Sequence, residues 1–173
     1  CPAIHSGLQA AEKGIPFMPV RGIVGSDLLA HRDDWTTGTD PFGEEDGPIV
    51  MVKAIRPDFT LIHAPLADRH GNVWIGVRRE MMLMAHASRE TLVTADEIYD
   101  GNLLADEKLA PGTIPGLYVS AVAEAENGAW PVGLFGRYGG DEAHLRDYLE
   151  RARSDEGFAG YLDEFVHAPK AAE

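Results

Sequence analysis

The seven residues RGIVGSD, Arg21 to Asp27, gather side chains suited to holding an anion. Arg21 is a permanent planar cation that can grip a carboxylate through two parallel hydrogen bonds. Gly22 and Gly25 have no Cβ, so the backbone N–H groups beside them can approach a carbonyl or carboxylate oxygen. Ser26 and Asp27 add a hydroxyl and a carboxylate. The apolar PFMPV (16–20) comes just before. If it is a strand, these residues lie past its carboxyl end, on the rim where α/β sheets place ligands. The alternative is that the glycines only turn the chain and Arg21 pairs with Asp27 or another carboxylate. A lone GxxG does not separate the two.

Other reactive types are less well placed. His63, Asp68 and His70 span a strand and a turn at a spacing that matches no zinc pattern, so they read as satisfied structural groups, and no metal is expected. Ser26 is not in a GxSxG elbow. Cys1, at a chain end, is not a credible catalytic thiol. Met81, Met82 and Met84 read as core filler. Glu126 precedes Asn127-Gly128, a turn signal; a glutamate there is a nucleophile or, more simply, a solvated turn residue.

The elements that must position these residues follow from periodicity. Residues 3–13 put Ile4, Leu8 and Ala11 on one helical stripe, with Gly14 as the stop. The two prolines of IPFMPV restrict it to a short or edge strand. The polar, Gly-rich 30–47 reads as a surface loop. PIVMVKAI (48–55) and FTLIHAPL (59–66) are strands separated by RPD, and DRHGN (68–72) is a turn with Gly71 free to take positive φ. A buried helix over 79–89, a strand over 90–98 and a strand in LYVSAVAEA follow, which predicts βαβ units and a parallel sheet with helices on its faces. Helices over 141–153 and 156–167 close the chain. Their stripes are Leu145, Tyr148, Leu149 and Ala152, then Phe158, Leu162 and Phe165; Glu142–Arg146 and Asp147–Arg151 pair on the wet side, and Asp155 is the expected N-cap. The tail APKAAE reads as frayed.

At 173 residues and 45% hydrophobic content, the chain suits one domain burying roughly two thirds of its unfolded surface. No apolar run approaches the ~20 residues of a membrane span. A formal charge of −13 argues against a nucleic-acid surface, and leaves the cations for an anionic ligand to be gathered locally or lent by a partner. One cysteine cannot close an internal disulfide, which fits a reducing, cytoplasmic setting. The start at Cys1, without methionine, reads as processing or as a fragment of something longer.

PFMPVRGIVGSD, AIRPD, HAPLADRHGN, TLVTADEI and IPGLYVSAVAEAENGAWP, in that order, resemble the A (alpha) subunits of family I CoA-transferases, the glutaconate CoA-transferase type. The resemblance runs from about Gly7 to the C-terminal helices. It implies an α/β fold with a mainly parallel sheet flanked by helices, of the kind shared with sugar-phosphate isomerases, ending here in a helical pair. It also implies a single domain over 1–173 that lacks the N-terminal part of the full subunit. The implied reaction is CoA transfer between small carboxylic acids. The nucleophile is a glutamate of a partner, the B (beta) subunit; it attacks the acyl-CoA thioester and carries a glutamyl-CoA intermediate. Coenzyme A is then substrate, and no cofactor is bound. Arg21 would orient a substrate carboxylate or the partner's glutamate, while Gly22, Gly25, Ser26 and Asp27 line the pocket.

The B-subunit nucleophile sits in a Ser-Glu-Asn-Gly motif that the Glu126 segment imitates, but Ala125 stands in the serine's place. Glu126 is therefore the weaker candidate. Two other functions fit the resemblance. One is a hydrolase of the same fold that opens a CoA-linked ring through an A-subunit glutamate, which in such relatives precedes the arginine matching Arg21 and falls at or just before Cys1. The other is a non-catalytic or regulatory module. Arg21, Arg69, Arg78 and Arg79 are the local cations for CoA phosphates, with Arg78 and Arg79 alternatively capping the turn before a helix.

Overall fold

The computed structural model describes residues 2–43 and 47–167. Expectations for Cys1 and for the 168–173 tail lie outside that range. The chain forms two compact units, 1–125 and 126–173.

The first unit opens with α1 (Pro2–Glu12), which ends at Gly14 in a left-handed conformation (φ 68°). Its buried face is Ala3, Gly7 and Ala10, one residue round from the expected Ile4–Leu8–Ala11 stripe, and Ile4 is exposed. Close approach explains the shift. The carbonyl of Gly7 accepts from the N–H of Ile55 at 2.9 Å, and a Cβ on Gly7 would lie 2.8 Å from the Ile55 side chain. Small residues therefore face the sheet.

That sheet has three antiparallel strands in the order β1 (Phe17–Val20), β3 (Pro48–Lys53), β2 (Trp35–Thr39). As Pro19 requires, β1 is an edge strand. The loop expected over 30–47 is corrected by β2: the run WTTGT is β-branched, takes the free edge of β3, and brings Trp35 against buried Val50 and Val52. Residues 44–46 of that segment lie outside the described range. On the opposite face Met51 reaches across β2, where a Cβ on Gly38 would lie 2.7 Å from its methyl carbon.

The second sheet of this unit has five strands in the order β7 (Thr113–Ile114), β5 (Val73–Trp74), β4 (Phe59–Asp68), β6 (Glu90–Tyr99), β8 (Ala121–Glu124). The expected parallel arrangement holds for β4–β6–β8, while β5 and β7 add antiparallel strands, so the sheet is mixed. Helix α2 (Arg79–Ala87) lies on the crossover between β4 and β6. Ile62, Ala64, Val93, Ala95 and Ala85 form the core, and Met81 and Met82 pack against it as filler. A polar tie fixes the helix end: the hydroxyls of Thr60 and Ser88 meet at 2.6 Å, and Ser88 donates to the carbonyl of Met84 at 2.8 Å. The other face of β4–β6–β8 carries exposed Phe59 and Leu61.

The second unit holds α3 (Glu142–Arg151) and α4 (Asp155–Leu162), extended by a π-helical turn, Asp163–His167. Both expected i,i+4 pairs form, Arg146–Glu142 at 2.8 Å and Arg151–Asp147 at 2.9 Å. Ser154, not Asp155, is the N-cap, because its hydroxyl accepts from the N–H of Gly157 while Asp155 takes the first helical position. The packing is aromatic. His144 meets Trp130 (centroids 4.2 Å) and Phe165 (4.7 Å), and its Nε2 lies 2.8 Å from the Tyr161 hydroxyl. Leu149, expected on the stripe, is exposed.

Candidate functional site

The RGIVGSD segment leaves the carboxyl end of β1 as two linked turns. The N–H of Val24 donates to the carbonyl of Arg21 at 3.1 Å, and that of Ser26 to the carbonyl of Ile23 at 3.3 Å. Gly25 is left-handed (φ 77°), which its lack of a Cβ permits. Gly22 has no such demand and nothing lies within 4 Å of a Cβ built on it. The Ser26 hydroxyl donates to the carbonyl of Ile23 at 2.8 Å and so holds the turn. Asp27 begins a short 3-10 turn, Asp27–His31. Arg21, Gly22, Gly25 and Asp27 are exposed and Ser26 is half-buried.

The segment borders a groove of about 510 Å³ on the open face of the three-stranded sheet. Its lining includes Phe17, Pro19, Ile49 and Met51, with Arg21 and Asp40 as the charged residues. Antiparallel pairing of β1 and β2 with β3 brings their two carboxyl ends to the same end of the sheet, which puts Arg21 and Asp40 on one rim. Asp40 accepts from the N–H of Phe42 at 3.0 Å and so shapes the turn after β2.

Asp68, 2% exposed, is the polar centre at the carboxyl end of β4. Its carboxylate accepts from the N–H groups of His70 (2.8 Å), Asn72 (3.0 Å) and Leu103 (2.8 Å), and from the side-chain amide of Asn72 (2.8 Å). Burial pushes its pKa up, but the donors, the Asn72 amide foremost, outweigh burial and hold the carboxyl below its ordinary value near 3.8. The Asn72 side chain also accepts from the N–H of Gly116 at 2.9 Å and donates to Asn102 at 3.2 Å. DRHGN is the turn the sequence suggests, with Gly71 at φ 82°, and it also joins three segments of the chain.

The structure keeps the histidines apart from any metal set: among the described residues, no group of three or more potential ligands comes together. Parallel register instead sets His63 between Thr94 (2.9 Å) and Asp96 (3.1 Å). Arg69 lines a shallow cleft beside Asp68. Arg78 and Arg79 open α2 with no side-chain cap, and both are exposed. Glu126 is exposed on a turn of the second unit, where Asn127 is left-handed (φ 55°). Among the described residues no helix is long and apolar enough to cross a membrane.

No family model matches the chain. It is 32% identical over 165 residues to the A (alpha) component of the 3-oxoadipate CoA-transferase of Pseudomonas knackmussii, covering 93% of this chain and 56% of that protein. It is 28% identical to the cholesterol ring-cleaving hydrolase IpdA subunit of Rhodococcus jostii, covering 94% and 57%. The crystal structure of glutaconate coenzyme A-transferase from Acidaminococcus fermentans matches at TM-score 0.87 and 27% identity, over 98% of this chain and 58% of that one. The decarboxylase AibA/AibB matches at TM-score 0.81 and 27% identity, over 95% and 59%. The chain thus spans about half the length of the curated relatives it matches. In sequence and in fold it is similar, over a little more than half their length, to the A (alpha) subunits of glutaconate-type CoA-transferases.

Proposed function

We propose that this chain supplies the acid-binding wall of a two-subunit CoA-transferase acting in the cytoplasm. Arg21 orients a substrate carboxylate, and the open backbone around Gly22 and Gly25 offers N–H donors to it or to the oxyanion that develops at the attacked carbonyl. Ser26 and Asp27 shape the rim. The nucleophile is a glutamate on a B subunit. Its carboxylate attacks the acyl-CoA carbonyl and expels CoA thiolate, leaving a mixed anhydride. The thiolate attacks the glutamyl carbonyl and releases the first acid, and the acceptor carboxylate then runs the steps in reverse. Each intermediate stays activated, so the thioester energy is conserved as long as water is kept out.

One observation carries the reading: an exposed arginine at the carboxyl end of β1 lines a groove and precedes a glycine turn with open space around it. Likeness to the ring-cleaving hydrolase supports a second reading, hydrolysis of a carbon–carbon bond in a CoA-linked ring, with Arg21 as clamp.

The full-length protein, co-expressed with its B subunit, is given acyl-CoA and a panel of carboxylic acids, and the CoA is followed. Transfer to an acid, with a CoA adduct on the B subunit, is expected. Arg21→Gln should lower kcat/KM by roughly ten- to a hundredfold with the complex still assembled, the worth of a charged hydrogen bond, while Glu126→Ala should leave the adduct in place. Free CoA, or a ring-opened product still bearing CoA, would refute the transferase reading.

A further inference from the structure

We propose that Thr94 is a site of covalent acylation, its hydroxyl activated by His63 and Asp96 to take an acyl group from an activated donor such as an aryl ester or a thioester. The site is on the five-stranded sheet rather than beside Arg21, and it is independent of the transferase reading. Parallel register assembles it. His63 of β4 is the direct partner of Thr94 of β6, and Asp96 lies two residues on along β6, on the same face. His63 Nδ1 is 2.9 Å from the Thr94 hydroxyl, and Nε2 is 3.1 Å from the Asp96 carboxylate.

The partners decide the proton positions. A carboxylate only accepts, so Nε2 carries the ring proton and donates to Asp96. The neutral ring then presents its Nδ1 lone pair to Thr94, whose hydroxyl donates to it. A hydroxyl resting on a base that a third group orients is the arrangement of an activated nucleophile. The His63 and Asp96 side chains are 17% and 9% exposed, which fixes the ring, while Thr94 itself is exposed. Thr94 opens onto a trough of about 590 Å³, on the face of the sheet that also carries exposed Leu61. Leu61, Leu92 and Ala121 line it, so a short acyl chain finds an apolar bed beside the hydroxyl.

In the step, Thr94 Oγ attacks the acyl carbonyl carbon and its proton passes to His63 Nδ1. The bond from that carbon to the donor's oxygen or sulfur breaks. The leaving group takes the proton back from His63, or departs as the anion while His63 gives the proton to water. An ester on Thr94 remains. Around Thr94, β6 is paired on one side with β4 and on the other with β8, so the backbone N–H groups that could meet an oxyanion are held in the ladders. Only activated donors therefore react, and the ester persists, because attack by water would need the same missing stabilisation.

The test treats the full-length protein with p-nitrophenyl butyrate and follows a butyryl ester on Thr94 by peptide mass spectrometry. The ester is expected to form and to outlast removal of the reagent. His63→Gln should slow its formation by about a hundredfold or more, the worth of a general base. Asp96→Asn keeps the shape but frees the ring to take the other tautomer, and should slow it by about tenfold or more, with Asp96→Glu recovering part of the rate. Thr94→Val keeps a β-branched residue at an exposed strand position and should leave no butyryl ester on β6. An unmodified Thr94 with butyryl groups only on lysines or Cys1, a rate unchanged in His63→Gln or in Asp96→Asn, or an ester lost as fast as it forms would each overturn the proposal.

Discussion

The two glycines of RGIVGSD do different jobs. Gly25 is needed by the backbone, because at φ 77° an L side chain is strained. Gly22 is not: its φ makes no special demand and the space beside it is open. Gly25→Ala should therefore cost about 1–2 kcal/mol in urea unfolding. Gly22→Ala should stay within about 0.5 kcal/mol of the parent, yet lower kcat/KM by at least about tenfold if the backbone there receives the substrate. Unchanged turnover in a stable Gly22→Ala protein would leave that glycine only a turn residue. Ser26 was legible as a polar group of the candidate loop, but not as the hydroxyl that closes the turn on Ile23.

At the scale of elements, Asp68 ties the end of β4 to the 70–72 turn and to Leu103, and Asn72 extends the tie to Gly116. Asp68→Ala leaves several buried donors without an acceptor, so a loss of about 2–4 kcal/mol is expected. The pH dependence follows from the direction of the shift. The folded carboxyl titrates below its ordinary value near 3.8, so its contribution is complete above that value and is lost as pH falls through the lower folded pKa. The difference in unfolding free energy between parent and Asp68→Ala should accordingly be constant near pH 7 and shrink below about pH 3.8. A gap that persists undiminished at the lowest pH at which both proteins fold would contradict this account. The motif was readable as a turn because Gly71 and Asn72 are turn residues. Its partners, Leu103 and Gly116, lie too far along the chain for local pattern to reveal.

At the scale of the whole molecule, a formal charge of −13 works against the CoA binding proposed above. Its phosphates are anionic, and Arg69, Arg78 and Arg79 are exposed cations on a chain of the opposite overall sign. The protein without a B subunit should bind CoA with Kd above about 0.1 mM, and added salt should strengthen rather than weaken that binding by screening the repulsion. Tight binding by the chain alone, read by calorimetry, would mean that the basic residues form a site of their own.

What the sequence by itself determined was the longer elements and a candidate loop: alternation and β-branching marked β3, β4 and β6, paired prolines marked β1 as an edge, and RGIVGSD stood out by residue type. These are short-range properties. Tertiary structure decided the rest. It made a strand of WTTGT because β3 offered a free edge, turned α1 onto its small residues because the helix packs tightly on Ile55, and set His63 between Thr94 and Asp96 through strand register. It also laid Pro19, Ile49 and Met51 side by side as the floor of a groove next to Arg21. Their separation along the chain hides that juxtaposition, since only pairing of β1, β2 and β3 brings one face of each strand to the same surface.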